Sequence, residues 1–301
     1  MALNANSIVA IVELVAYVPA IIVSFMVCLR HGFHRSSGWL YTLALCLIRI
    51  IGAACQLATI PNPDDVPLIT ASVILENIGV TPLLLATLGM LSRLVDWTNR
   101  QNPSPTITIY HFRLVQLLIL LNTILSIVGG TDNNATPTSP ATESQVAAVF
   151  YVVTYAALLL ILLVSARSRS LVPADERLIV PAVALALVPF IAVRVLYSLL
   201  VVFVHSGAFA RIGGPAAARL CMATVEEFVV VAVYLFLGYR LARLDESERG
   251  EILSRPRYQQ PSRSGPSSYD PEQGQGVSGV GEEYGLAQGH EGTGGGYPSS
   301  R

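Results

Sequence analysis

Lysine is absent from this 301-residue chain, and all 19 basic residues are arginine. A retinal photoreceptor needs a lysine for its Schiff base, so that seven-helix class is excluded. Charge of either sign is scarce, at 13% of residues against about 25% in a soluble domain. The net charge is −1 and no basic stripe exists outside short loops, so nucleic acid is not a partner. Four cysteines form no Cys-x-x-Cys spacing; no metal site and no cofactor are expected. Cys46, Cys55 and Cys221 lie in apolar segments and read as small buried hydrophobes, whereas Cys28, near Arg30 at a helix end, is a candidate for palmitoylation.

Apolar length fills the chain instead. Seven runs of about 20 residues are each sufficient to cross a bilayer as a helix, at residues 7–29, 38–59, 67–91, 110–129, 146–166, 178–205 and 216–239. The expected fold is all-α: a polytopic membrane bundle of seven transmembrane helices over residues 1–243. Residues 244–301 are rich in Gly, Ser, Pro, Gln and Glu and cannot offset their ordering entropy by burial, so they read as a disordered tail. The first run lacks a basic n-region and is too long for a cleavable signal, which makes it an uncleaved anchor.

Loop charges orient the bundle. Arg30 and Arg35, Arg93 and Arg100, Arg167, Arg169 and Arg177, and Arg240 and Arg243 all follow odd-numbered runs, whereas the opposite loops hold only Arg211. The positive-inside rule places the N-terminus outside and the C-terminus in the cytosol, with Trp39 and Trp97 as interfacial anchors on the cytosolic side. The choice between plasma membrane and endomembrane stays open. Asn134-Ala135-Thr136 is a glycosylation sequon in a loop placed outside, although Pro137 follows it directly.

Six ionisable residues lie away from the ends of the runs: Glu13, Arg49, Glu76, Arg194, Glu226 and Glu227. A charge at the bilayer centre costs about 3 kcal/mol on insertion scales and ordinarily faces a partner or a water-filled cavity. Proximity along the chain suggests Arg49 with Glu76, and Arg194 with Glu226 or Glu227. Adjacent helical residues point about 100° apart, so only one of the two glutamates can face Arg194 squarely. Gln56, Asn77, Thr81, Asn122 and Thr224 supply neutral polar groups for a network. Such a set either holds helices together, at under about 2 kcal/mol per contact, or lines a functional cavity. Ile48-Arg49-Ile50-Ile51 resembles Val193-Arg194-Val195-Leu196, and Leu75-Glu76-Asn77-Ile78 resembles Val225-Glu226-Glu227-Phe228, as in a three-plus-one-plus-three repeat. Pro19, Pro82, Pro181 and Pro189 lie within or just inside the runs and can kink them.

The segment from Gly38-Trp39 through Leu47-Ile48-Arg49-Ile50-Ile51-Gly52-Ala53, the segment from Pro189 through Arg194-Val195-Leu196-Tyr197-Ser198, and Val225-Glu226-Glu227-Phe228 together carry a resemblance. They resemble an uncharacterised fungal seven-transmembrane family defined only as a domain of unknown function, over about residues 5–243. In plan, with an Arg in run six and a Glu in run seven, the chain is also similar to the fungal RTA-like lipid-translocating exporters, whose longer charged motifs it lacks. It is similar to G-protein-coupled receptors only in span count and orientation. Ser92-Arg93-Leu94 stands where Asp-Arg-Tyr would be, and no Asn-Pro-x-x-Tyr ends run seven.

These readings lead to one functional expectation. A polar intramembrane site binds and moves an amphipathic small molecule or lipid, with Arg49 and Arg194 on an acidic head group and Glu76, Asn77, Glu226 and Glu227 around it. The alternative is a receptor-like sensor or scaffold that signals through a cytosolic partner of the tail. An enzyme is not expected, because His31, His34, His111 and His205 lie near run ends and form no catalytic grouping.

Overall fold

Each apolar run folds as a helix because a bilayer offers the backbone no other hydrogen-bond partners. The computed structural model describes residues 5–32, 38–61, 65–101, 107–131, 142–174, 176–204, 216–243 and 252, all within one unit covering residues 1–257. The Asn134 sequon, His34, His205, Arg211 and the tail other than Ile252 lie outside the described residues. Seven helices are long and apolar enough to cross a membrane: α1 (Ala5–His31), α2 (Trp39–Ala58), α3 (Val66–Gln101), α4 (Ile109–Thr131), α5 (Thr142–Arg167), α6 (Glu176–Phe203) and α7 (Leu220–Arg240). No strand occurs among the described residues. The face from which α1 starts is called here the N face, and the face at which α7 ends the C face.

Helix α3 is the axis of the bundle and has two unlike parts. Asp65 caps its start, accepting from the Leu68 backbone N–H at 3.3 Å, with Pro67 in the first turn. Between Val66 and Ile78 no residue is fully buried. From Val80 to Gln101, 16 of 22 residues are buried, and α2, α4, α5 and α6 all pack around them. The helix breaks at Gly79. Pro82 explains the position, since its ring has no N–H for the Ile78 carbonyl and crowds it.

Two π-helical turns interrupt the other polar spans. In α6 the π turn covers Ala186–Ile191 and contains Pro189; the Ala192 N–H reaches the Leu187 carbonyl five residues back. Pro189 cannot donate to the Leu185 carbonyl, and the ladder slips by one residue around it. In α7, just after the short helical lead Ala216–Arg219, the π turn covers Leu220–Thr224, with Val225 N–H donating to the Leu220 carbonyl. One extra residue in a turn rotates everything beyond it by about 100°. Arg194 and Glu227 each lie within one turn beyond these slips.

At the C face the last carbonyls of α7 need partners, and side chains at the end of α1 supply them. His31 Nε2 lies 2.8 Å from the Gly238 carbonyl, and Arg30 donates to the Tyr239 carbonyl at 2.7 Å. Arg93, 2% exposed, donates to both oxygens of Glu176 and to the Ala242 carbonyl at 2.9 Å. Beyond α7, the Ile252 N–H donates to Asp96 at 3.1 Å. Gly38 turns the chain between α1 and α2 at φ 86°, with space for no side chain: a Cβ would lie 2.7 Å from the Ala86 carbonyl oxygen.

Three expectations are corrected here. Arg93 is no loop charge: α3 continues ten residues past the expected end, and the residue is buried against Glu176. Trp39 is 1% exposed, packed by His31 and Gly238 rather than anchored at an interface. Cys28 is fully buried and therefore unavailable for palmitoylation, whereas Cys221 is exposed rather than buried.

Candidate functional site

About two to three turns in from the N face, five helices bring their charges to one level. Glu227 of α7 is the hub and is 0% exposed. Arg49 of α2 grips it with a fork: Nε donates to Oε2 at 2.6 Å and Nη2 lies 2.5 Å from Oε1. Arg194 of α6 donates from Nε to the same Oε1 at 2.5 Å. Two guanidinium groups, 4% and 2% exposed, therefore share one carboxylate. Such charge-assisted bonds are the strong class, and low dielectric makes them costly to disrupt.

The remaining donors of Arg194 are placed by neighbours. Nη1 donates to Ser198 one turn on at 2.8 Å, and Nη2 donates to the Glu76 backbone carbonyl at 3.1 Å. Its guanidinium carbon also lies 5.8 Å from the Tyr197 ring centroid. Arg49 lies against bare backbone: a Cβ at Gly79 would come within 3.1 Å of Nη2, so a side chain where α3 breaks would push the guanidinium aside by a few tenths of an ångström. The third group, Nη1 of Arg49, is 3.9 Å from Glu13 Oε1 of α1, and that oxygen accepts from the Thr224 hydroxyl at 2.7 Å.

Glu76 pairs with neither of these arginines through its side chain. Its carboxylate lies 3.7 Å from Nη1 of Arg219, while Nη2 of Arg219 donates to Asn6 at 3.2 Å. Both side chains are part-exposed, Glu76 at 23% and Arg219 at 20%. Between them and Arg49 is a polar crevice of about 10 Å³, room for one water, bounded by Glu13, Gln56, Ser72 and Glu76. Across α3 is a second cavity of about 40 Å³, lined by Asn77, Ser126, Ser144, Tyr151 and Ser198. There the Tyr151 hydroxyl reaches the Asn77 carbonyl at 3.4 Å.

The expected residues thus gather; Arg194 meets Glu227, one of its two expected partners, and the other expected pairing changes. Arg49 meets Glu227 in place of Glu76, because the broken α3 presents its backbone to Arg49 and turns Glu76 toward Arg219. Of the adjacent glutamates, Glu227 faces the arginines. Glu226 is half-buried and makes no ion pair among the described residues; its Oε2 is buried without a hydrogen-bond partner there. Asn77 contributes to the second cavity rather than to the charge cluster. The pairing does not follow the short internal repeat either, since both repeat arginines converge on a single carboxylate. Arg219 is the member that sequence reasoning missed. It stands at the edge of the seventh run, where a charge needs no explanation, and only the fold aims it inward. Among the described residues no group of three His, Cys, Asp or Glu could hold a metal ion.

Residues 3–244 match the family described as a domain of unknown function, DUF7702, and the chain belongs to that family. No curated protein and no solved structure matches it.

Proposed function

We propose that this DUF7702 protein binds an amphipathic small molecule or lipid by an acidic head group at the N-face charge cluster and moves it through the bundle, with the N-terminus outside and the C-terminus cytosolic. The observation that carries this reading is the position of the cluster against three departures from regular helix: the break at Gly79 and the π turns Ala186–Ile191 and Leu220–Thr224. π turns cluster at functional sites and let a helix re-register, and intramembrane charges are functional by default. Arg49 and Arg194 would hold the head group, with Glu76, Glu226 and Glu227 setting the local charge. The likeness in plan to lipid-translocating exporters supports the same direction. The reading is a carrier's rather than an enzyme's, because the buried carboxylate is committed to two arginines and not poised beside a nucleophile.

Flux in proteoliposomes tests it. Arg194→Gln leaves the fork between Arg49 and Glu227 intact, so the protein should fold while flux of acidic lipids or metabolites falls by about tenfold or more, the scale of one lost charge-assisted contact. Unchanged flux for every acidic candidate overturns the reading. A sensor is the second reading, favoured by the tie from Ile252 to Asp96, which links the chain beyond α7 to α3. Deleting residues 245–301 separates the two: a sensor loses its output, and a carrier keeps its flux.

A further inference from the structure

Two arginines converge on one residue of α3, and that residue sits on a segment with no fully buried side chain. Arg194 donates to the backbone carbonyl of Glu76, and Arg219 faces the Glu76 carboxylate at 3.7 Å. Glu76 belongs to the segment Val66–Ile78, in which no residue is fully buried, and the break at Gly79 separates that segment from the core half of the helix. Guanidinium donors near a membrane surface are ordinarily a place for a ligand's anion. Here the chain's own Glu76 faces one of them with its carboxylate and the other with its backbone carbonyl.

We propose that Arg194 and Arg219 form the entry site for a phosphate-bearing anion, that Glu76 is its built-in competitor, and that Val66–Ile78 is the gate that withdraws Glu76. This rests on the reading that the N-face cluster takes an acidic head group, and it adds to that reading the route, the gate and Arg219. The chemistry fits the parts. Swinging the segment outward about Gly79 and Pro82 removes the carboxylate from Arg219 and the carbonyl from Arg194 in one movement, leaving Arg219 without its counter-charge and one Arg194 donor without its acceptor. Arg49 stays behind, forked onto Glu227. The crevice beside Glu76 has room for about one water, so no head group enters until the gate moves. The exposure of Arg219 gives an incoming anion its first contact. Neighbouring Glu13 already has Thr224 as a donor and remains as a counter-charge. A dianionic phosphate suits this pair better than a single carboxylate does, because it can take Arg219 bidentately and also accept the Nη2 donor that Arg194 loses from the Glu76 carbonyl, while Nε and Nη1 of Arg194 stay on Glu227 and Ser198.

The full chain in detergent micelles, with Cys55 and Cys221 replaced by Ser, permits a direct test. Titration calorimetry is run with dihexanoyl phosphatidic acid, with inorganic phosphate and with dihexanoyl phosphatidylcholine. Glu76→Gln removes the competitor and should tighten phosphatidic acid binding about tenfold, Arg219→Gln should weaken it about tenfold, and Arg219→Lys should recover part of the loss. A gain in Glu76→Gln is a result that misfolding does not produce. A Cβ on Gly52 would lie 3.5 Å from the Leu75 Cβ, within disulfide range, so the double variant G52C/L75C should pin the gate to α2 when oxidised. Oxidised protein should lose about tenfold or more in affinity, because the open state that binds is no longer populated, and reductant should restore it. Parallel behaviour of inorganic phosphate would assign recognition to the phosphate alone, and its silence would assign it to the lipid. Equal binding by the oxidised and reduced forms, or by Glu76→Gln and the parent, overturns the gate while leaving an acidic ligand at Arg49 and Arg194 intact. If no acidic probe binds any form, Glu76→Gln included, the acidic-ligand reading falls and the gate with it.

Discussion

At the C face of the bundle one arginine meets one carboxylate: Arg93 donates to both oxygens of Glu176, and its spare donor closes on the Ala242 carbonyl. At the N face two arginines compete for Glu227, while Glu13 and Glu76 lie 3.9 and 3.7 Å from their nearest arginines, Glu13 also accepting from Thr224. The first arrangement is balanced and leaves no alternative partners. The second is unevenly shared, and an additional anion would find donors there. The helices repeat the contrast. Around Arg93 helix α3 is regular and buried and the first turn of α6, at Glu176, is 3-10, whereas around the N-face cluster three helices depart from the α ladder within their length. On the proposed reading, stability and responsiveness are divided between the two ends of the same helices, the pattern of functional positions held at some expense to the fold.

The comparison breaks most visibly at the C face. Arg93→Ala leaves Glu176 buried without its partner and should lower unfolding free energy by about 3–5 kcal/mol in mixed micelles. A loss below about 1 kcal/mol, the value of an exposed pair, would mean that the clamp is solvated and the contrast false. Replacing both residues by apolar ones of similar volume should recover most of the loss, since a well-packed apolar pair often matches an ion pair.

The N face should respond unequally to its two halves. Glu227→Gln strands two guanidinium groups and should cost up to about 3–5 kcal/mol, whereas Arg194→Gln leaves a neutral fork and should cost about 1–2 kcal/mol. In the double variant only Arg49 is unpaired, so the second substitution should cost less than it does alone. Unfolding of the two singles and the double measures that coupling. Equal, large losses in both singles would make Arg194 structural glue and remove the main support for a ligand site there.

Much of this layout was legible in the sequence. Apolar length alone placed all seven helices, because a bilayer-spanning helix has almost one permitted length and composition. The depth of Arg49, Arg194 and Glu227 also followed from counting residues along each run. Their pairing followed only in part: Arg194 on one of the two adjacent glutamates was expected, Arg49 on Glu227 was not. Counting assumes 3.6 residues per turn, and the π turns before Arg194 and Glu227 each rotate the next residues by one position, so the facing carboxylate could not be chosen. Arg93 and Trp39 misled for a different reason. Arginine and tryptophan near the end of an apolar run resemble interfacial residues, and only the neighbours from α1, α6 and α7 bury them.

Two smaller effects sharpen the contrast. Gly38→Ala forces a side chain into positive φ and against the Ala86 carbonyl, and should cost about 1–3 kcal/mol by the same unfolding assay. A neutral result would show that the turn between α1 and α2 relaxes freely and gives the C face no rigidity. The least effect is expected between the two charged layers, where the Tyr234 hydroxyl meets Thr87 at 2.7 Å. Thr87 also bonds the Leu83 carbonyl at 2.9 Å, so Tyr234→Phe leaves it satisfied. The loss should be about 0.6 kcal/mol, the average for hydrogen bonds between membrane helices. A loss larger than that of Arg194→Gln would place the most sensitive polar contact in this neutral middle layer. The division of labour would then run between the centre and the ends rather than between the two faces.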